Sequence, residues 1–437
     1  MSATDRLREI VDANRRGEGL GIYSICSADP RVLEAGMTQA LRDGTVVCIE
    51  ATCNQVNQFG GYTGMTPADF RGFVGSIAAE TGLPQERIIL GGDHLGPWVW
   101  QSEPAASAMA KARDMVRDYV LAGFTKIHLD ASMRCADDPG DPSAFLDEQI
   151  ATERTAELCR VAEETHAMMP EGSSAPVYVI GTEVPTPGGE QADRGAPAVT
   201  RVEDVERTLS IARAAFERQG LLAAWERVVA VVTQPGVEFG DDVVFDYDRG
   251  LARELSAFAE GNGRLAYEAH STDHQAPTAL REMVQDHFAI LKVGPWLTFA
   301  MREAFFALES IERELLAGDG DVERSRLREV LETAMVEHPE HWRSYYRGDE
   351  RELRLARAFS FSDRCRYYWP RAELREALAR LFRNLSRRPI PPTLLGQFLS
   401  EQYDAVREGR ISARPEDLVR HKVLQVVDVY AAACGMR

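Results

Sequence analysis

The 437-residue chain is predicted to be an α/β protein, a (β/α)8 barrel with a helical C-terminal appendage. Three observations carry that expectation. Eight short, nearly continuous apolar runs recur between about residues 15 and 315, stretches of helical periodicity separate them, and polar or ionisable residues concentrate where the runs end. Strands that are apolar throughout belong to parallel sheets covered on both faces, and a count of eight points to closure into a barrel. A doubly wound open sheet is the alternative. Its nucleotide-binding form is weakened because neither GxGxxG nor GxxxxGK(S/T) follows any strand.

The runs, in order, are "GLGIYSI" (19–25), "TVVCIE" (45–50), "RIILGG" (87–92), "KIHLD" (126–130), "VYVIGT" (177–182), "RVVAVV" (227–232), "RLAYEA" (264–269) and "AILKVG" (289–294). Helices are expected over 68–82, 106–124, 153–169, 202–220, 248–261 and 279–288. Thr66 and Pro67 have the residue types of a cap and first helical position, and Gly82, Gly123 and Gly220 stand where helices should stop. After the barrel (1–317) the pattern changes. Residues 318–437 read as helical, charged and aromatic-rich, suited to covering part of the barrel or forming a subunit contact, and a homo-oligomer is expected.

A formal charge of −18 argues against a nucleic-acid partner, because a phosphate backbone would be repelled. The one basic stretch, "RLFRNLSRRP", is short and falls in a helical region, where it reads as a solvated face. No run approaches the roughly 20 apolar residues needed to cross a membrane, and "MSATDRLREI" has no signal core. Seven scattered cysteines without a CxxC pair suit reduced thiols, so a cytoplasmic location is expected.

Residues just past the strand ends converge on one face of such a barrel. There the sequence delivers Glu50, Asn54 and Gln55 after the second strand, Asp93 and His94 after the third, and His128 and Asp130 on the fourth. Glu183 follows the fifth strand, Gln234 the sixth, His270, Ser271 and Asp273 the seventh, and Lys292 lies on the eighth. Carboxylates and imidazoles near a barrel axis are costly unless ligated, paired or hydrogen-bonded. His94, Glu183 and His270 would make a three-ligand site with open positions, suited to Zn²⁺ and also to Mn²⁺ or Co²⁺. Asp93 and Asp130 could transfer protons, or Asp130 could orient a ligand from behind. His128, mid-strand, reads as a satisfied barrel histidine or a substrate contact. Lys292 reads as a counter-ion for Glu50 or Glu183, or as a Schiff-base amine. The remaining candidates, Glu50, Asn54, Gln55, Gln234, Ser271 and Asp273, are placed to meet substrate. The turns after the last two strands, "EAHSTDHQ" and "KVGPWLTF", share one glycine, a thin phosphate cradle that leans towards an unphosphorylated or singly phosphorylated substrate.

The stretches "IEATCNQVNQFGGYTGMTPADF", "GGDHLGPW", "KIHLDAS", "VIGTEVPTPGGE", "YEAHSTDHQ", "HFAILKVGPWLTFA" and "DRCRYYWP" resemble the accessory-subunit family of class II D-tagatose-1,6-bisphosphate aldolase. Its members have often been labelled tagatose-6-phosphate kinases, and some relatives are understood to be metal-dependent ketose 4-epimerases. The resemblance implies a barrel of class II aldolase type. It also implies that "GDHLG" supplies a proton-transfer Asp93 and a metal-binding His94, and that "EAH" supplies a second metal histidine, His270. The paired glycines expected after that histidine are replaced by Ser271 and Thr272, so bisphosphate binding is not implied. Two functions follow as expectations. One is a divalent-metal-dependent enzyme acting on a ketohexose or its phosphate, of tagatose or fructose type, by C4 epimerisation or C3–C4 retro-aldol chemistry. The other is a non-catalytic subunit that stabilises a separate tagatose-1,6-bisphosphate aldolase.

Overall fold

Each predicted apolar run becomes a strand, and the strands pair side by side into a closed ring. The computed structural model describes residues 2–141, 146–181 and 197–436. Its strands are β1 (Ile22–Cys26), β2 (Val47–Thr52), β3 (Ile88–Leu95), β4 (Lys126–Leu129), β5 (Val177–Ile180), β6 (Val228–Val232), β7 (Glu238–Phe239), β8 (Val244–Phe245), β9 (Tyr267–Ala269) and β10 (Phe288–Val293). The barrel order is β1-β10-β9-β6-β5-β4-β3-β2. Parallel pairing of β1 with β10, Ile22 opposite Ile290 and Ser24 opposite Lys292, closes the ring and removes the open-sheet alternative. Every residue of β2, β4, β5 and β10 is buried, as a sheet covered by helices requires.

Local chemistry places the helices. Thr66 and Asp69 form a reciprocal capping box on the helix Pro67–Thr81, whose Gly82 cap takes the left-handed conformation at φ 76°. The fifth predicted helix begins later than expected, at Arg253, because Asp248 spends its carboxylate on the turn N–H groups of Gly250 and Leu251. The antiparallel pair β7–β8 was not predicted; two-residue strands leave no periodicity to read. Residues 318–436 are mainly helical, and the last helix, Pro415–Ala433, lies against the helices Pro30–Asp43 and Pro295–Leu315. Its Tyr430 hydroxyl donates to the Thr272 carbonyl oxygen just past β9, and Gly21 N–H donates to Cys434 O ahead of β1. Among the described residues no helix is long and apolar enough to cross a membrane.

The strand β3 differs from expectation in a way that matters. It continues through Asp93, His94 and Leu95, and its register on β4 shifts between Gly92 and Leu95. In a regular strand adjacent side chains point to opposite faces. Here His94 has φ 51°, and the irregular register lets Asp93 and His94 face the same cavity. Gly96 then lets β3 and β4 close together: a Cβ on it would lie 1.6 Å from the Asp130 carbonyl oxygen. Because that obstacle is backbone, Gly96→Ala should destabilise by more than the roughly 1–3 kcal/mol of ordinary overpacking. Denaturant unfolding measures this, and near-native stability would mean the strand ends part freely.

Candidate metal centre and active site

The interior of the barrel is charged at its floor. Lys126, the first residue of β4, places its ammonium 2.5 Å from Glu50 Oε1 and 2.6 Å from Glu268 Oε2, with all three side chains inaccessible to solvent. Lys292 from β10 pairs with Glu50 Oε2 and with Asp93 Oδ1, and lies 3.7 Å from Glu268 Oε1. Carboxylates from β2, β3 and β9 therefore share two cations, from β4 and β10. Burial alone would strip the proton from either lysine. Glu268 and Glu50 outweigh it at Lys126, and Asp93 with its neighbours does so at Lys292, so both are held protonated, Lys292 well above the usual range. That is the state opposite to a Schiff-base amine, and it matches the counter-ion reading towards Glu50.

Above this floor stand three imidazoles. The ring centroids of His94 and His128 are 4.9 Å apart, those of His94 and His270 4.9 Å, and those of His128 and His270 5.2 Å. Each ring is held from behind by a carboxylate. Asp130 Oδ2 lies 2.8 Å from His94 Nδ1, and Asp130 Oδ1 accepts from the Ser132 N–H and hydroxyl. Glu268 Oε1 lies 3.0 Å from His270 Nε2, and Asp93 Oδ1 3.1 Å from His128 Nδ1. The buried Nε2 of His128 has no hydrogen-bond partner among the described residues. His128 Nδ1 lies between Asp93 Oδ1 and the His94 N–H, which is 3.2 Å away, so Nε2 is the ring nitrogen left to meet a ligand.

The site's electrostatics follow from the same contacts. Burial opposes charge on His94, but Asp93 and Asp130 outweigh it and raise its pKa. His270 is pushed down to about 4, by burial first and then by Lys292 and His94, against the pull of Glu268, so it is neutral and able to ligate. Asp130 resists burial through His94 and falls to about 2. Asp93 is held well below the usual carboxylate range, because His94, Lys292 and His128 overcome its burial. One ligand atom from each of Asp93, His94, His128 and His270 lies within 4.8 Å of all the others. The donor set, N-rich with one carboxylate and an unpartnered imidazole nitrogen, fits a divalent transition metal.

Asp93, His94, His270 and Lys292 line one cavity, and Asn54, Gln55, Ser271 and Asp273 share its wall. Glu50 is buried in the floor, His128 stands in the imidazole cluster above it, Asp130 stands behind His94, and Glu183 falls outside the described residues. Gln234, expected to meet substrate, caps its own loop instead: its Oε1 accepts from Gly236 and Val237 N–H at 2.8 and 3.0 Å, and it does not line the cavity. Sequence reasoning passed over Lys126, although Lys126, His128 and Asp130 share the period-2 spacing of one strand face. It also passed over Tyr62, Arg366 and Tyr367, which line the cavity. Nothing local to "DRCRYYWP" signals that placement.

Asp273 gives the site a pH dependence. Burial pushes its carboxyl up to about 6, only partly opposed by the Trp296 and Gly294 N–H groups that it accepts. A raised acid binds its proton more tightly in the folded state. Its contribution to stability is therefore complete below the ordinary value of 3.8 and lost as pH rises through about 6. Asp273→Asn keeps the acceptor and removes the titration. Its unfolding free energy should fall less than the wild type's between pH 4 and 7, with a ceiling of about 1.4 kcal/mol per pKa unit. Equal slopes in urea titrations at these pH values would contradict this.

The closed barrel, with imidazoles and carboxylates gathered at the C-terminal ends of its strands, defines a (β/α)8-barrel protein with a candidate metal site there. The chain belongs to the family described as D-tagatose-1,6-bisphosphate aldolase subunit GatZ/KbaZ-like, whose model matches residues 7–435. A probable tagatose 6 phosphate kinase from Sinorhizobium meliloti 1021, known as a crystal structure, is 47% identical; the match covers 95% of this chain and 100% of that one, with a TM-score of 0.85. Two aldolases match more distantly. The YdjI aldolase from Escherichia coli K12 is 12% identical over 69% of this chain and 85% of its own, with a TM-score of 0.42. The fructose-bisphosphate aldolase of Campylobacter jejuni is 12% identical over 89% and 93%, with a TM-score of 0.45.

Proposed function

We propose that this protein is a divalent-metal-dependent enzyme that acts on a ketohexose or ketohexose phosphate of tagatose or fructose type, by C4 epimerisation or C3–C4 retro-aldol chemistry. The observation that carries the reading is the three-imidazole cluster with the unpartnered His128 Nε2. His94, His128 and His270 would hold the metal, with Asp93 beside them; Glu183, the third ligand expected from the sequence, lies outside the described residues. Zinc suits three imidazoles best, with manganese or cobalt next. When bound, the metal supplies Lewis-acid polarisation of the ketose carbonyl and adjacent hydroxyl.

The chain's own groups do the rest. Asp130 and Glu268 fix the tautomers and orientation of His94 and His270, which makes Asp130 a positioning residue rather than a base. Asp93 lines the cavity and takes the C4 hydroxyl proton. The Lys292 ammonium at Asp93 keeps that carboxylate ionised between turnovers and sits where oxyanion charge develops. With the C4 hydroxyl deprotonated, the C3–C4 bond opens and leaves its electron pair on C3, beside the polarised carbonyl. Re-addition to the other face of the C4 aldehyde, with Asp93 returning its proton to the C4 oxygen, inverts that centre; return of the proton to C3 and release of the two fragments is cleavage. Asn54, Gln55 and Ser271 offer hydroxyl-binding groups on the same wall.

The family description favours a second reading, a subunit that supports a tagatose-1,6-bisphosphate aldolase. Elemental analysis of the purified full chain, paired with NMR assays on D-fructose, D-tagatose and their phosphates with and without chelator, separates the two. Near-stoichiometric metal with chelator-sensitive C4 inversion or cleavage is the expected result. A metal-free, inert chain that raises the thermal stability of such an aldolase would establish the second reading instead.

A further inference from the structure

At the N-terminal ends of its strands, away from the imidazoles, the barrel wall opens between β6 and β9. These two strands pair at Val231 with Tyr267 and at Val232 with Glu268, the last two residues of β6. Earlier in β6, among the described residues, Val228 and Ala230 have partners on β5 only. The Val229 carbonyl oxygen accepts from Arg15 Nη2 at 2.8 Å instead of from a strand. A gap between strands this close to the core needs something to fill it.

The gap is a cavity of about 450 Å³, within the range of small-molecule sites. Val228, Val231 and Leu265 give it an apolar floor, and Trp225 stands at its side. That indole is held edge-on by the Phe216 ring, with centroids 5.4 Å apart, so its orientation is set by packing.

Charge at this cleft runs against that of the chain. The chain carries −18, yet three arginines, Arg15, Arg213 and Arg264, line the cavity with one carboxylate, Glu226. Glu226 is paired with Arg264. Arg15 Nη1 lies 2.9 Å from Asp12 Oδ1 while its Nη2 is spent on Val229, which fixes the guanidinium in place. Arg213 makes no hydrogen bond and no ion pair within 4 Å among the described residues. Burial first, and then repulsion from Arg264 and Arg8, lowers the pKa of Arg15, and Asp12 opposes this only in part. Like charges gathered beside an apolar floor are relieved by an anion between them.

We propose that this cleft binds a small aromatic anion, its charged group at Arg213 in the field of Arg15 and Arg264, and its ring against Trp225 and the apolar strand ends. The charge of the ligand follows from the arginines. Its flat apolar body follows from the floor, which offers no side chain to hydrogen-bond, and from the planar indole and guanidinium groups beside it. The site is separate from the imidazole cavity and does not depend on the ketose reading.

Fluorescence titration of the full chain tests this with anilinonaphthalene sulfonate, with the uncharged N-phenylnaphthylamine, and with inorganic phosphate as a competitor. Wild type, Arg213→Gln and Trp225→Leu are compared. One sulfonate should bind per chain, about 10- to 100-fold more tightly than the neutral dye. Added salt and Arg213→Gln should each shrink that ratio, whereas Trp225→Leu should weaken both dyes together. Phosphate should compete only weakly, because it leaves the apolar floor uncovered. Metal content should be the same in Arg213→Gln as in wild type. Equal affinity for the two dyes, a sulfonate that binds Arg213→Gln as it binds wild type, phosphate that competes as strongly as the sulfonate binds, or no saturable binding overturns the proposal. Arg213 is exposed, so its replacement is expected to fold; if it does not, the wild-type dye ratio and its salt dependence decide.

Discussion

His94→Ala is expected to abolish divalent-metal binding under conditions that saturate the wild type. His94 stands 4.9 Å, ring to ring, from both His128 and His270, and Asp130 fixes its Nδ1 from behind. Loss of a group that merely orients a ligand lowers metal affinity by about 10- to 100-fold. Loss of the ligand itself should exceed that. The same substitution removes the stabilisation that metal confers on the folded state, about 2.7 kcal/mol when free metal is 100 times its Kd. Both effects are measurable on one preparation, as metal per chain and as the shift in Tm on adding metal. His128→Ala and His270→Ala should behave alike, because each removes one of three neighbouring imidazoles. Gln234→Ala should leave both readouts unchanged, since that side chain only caps its own loop. A His94→Ala protein that keeps its metal and its Tm shift would remove His94 from the ligand set.

Lys126→Met is expected to cost about 3–5 kcal/mol of folding stability, the range for removing one partner from a buried ion pair. Glu50 and Glu268 both rest on that ammonium at about 2.5 Å, and none of the three is exposed. Without it, Glu268 keeps only the more distant Lys292, at 3.7 Å, and the His270 ring. The sign of the resulting pH dependence is fixed. With its main counter-charge gone, Glu268 should move from a carboxylate held well below the usual range to one raised by burial. The variant's stability should then be greatest at low pH and fall as pH rises through the raised value. Adding Glu268→Gln to Lys126→Met should recover part of the loss, since the pair is coupled and its effects are not additive. Urea unfolding of the two variants and wild type at pH 5 and 8 measures all of this. A Lys126→Met protein within about 1 kcal/mol of wild type would show that the floor of the barrel is not held by charge.

The barrel was legible because each strand is a mostly apolar run bounded by its own turn chemistry, as with Thr66, Pro67 and Gly82 around one helix. That information is local, and burial on two faces leaves a strand little choice of residue. The candidate site was legible by position: Asp93, His94, His270, Asp273 and Lys292 stand at strand ends, and strand ends converge in a closed parallel barrel. His128 was harder to place. Its position on a strand is local, but the direction its ring faces depends on the register of β4 against β3 and β5. Lys126 looked like a strand boundary, since only the pairing of β2, β3, β4 and β9 reveals two carboxylates waiting for it.

The sequence alone therefore determined the fold class, the order of the barrel strands and the residue types at their mouths, because periodicity and turn chemistry act over a few residues. Tertiary structure decided which of those residues meet. It turned Asp93 and His94 to one side through an irregular strand, joined His128 to the other imidazoles, and threaded two lysines between three carboxylates. It also carried Arg366 across the chain to the cavity. Contacts between residues far apart in the chain depend on register, packing angle and burial, and none of these is written in any short stretch of sequence.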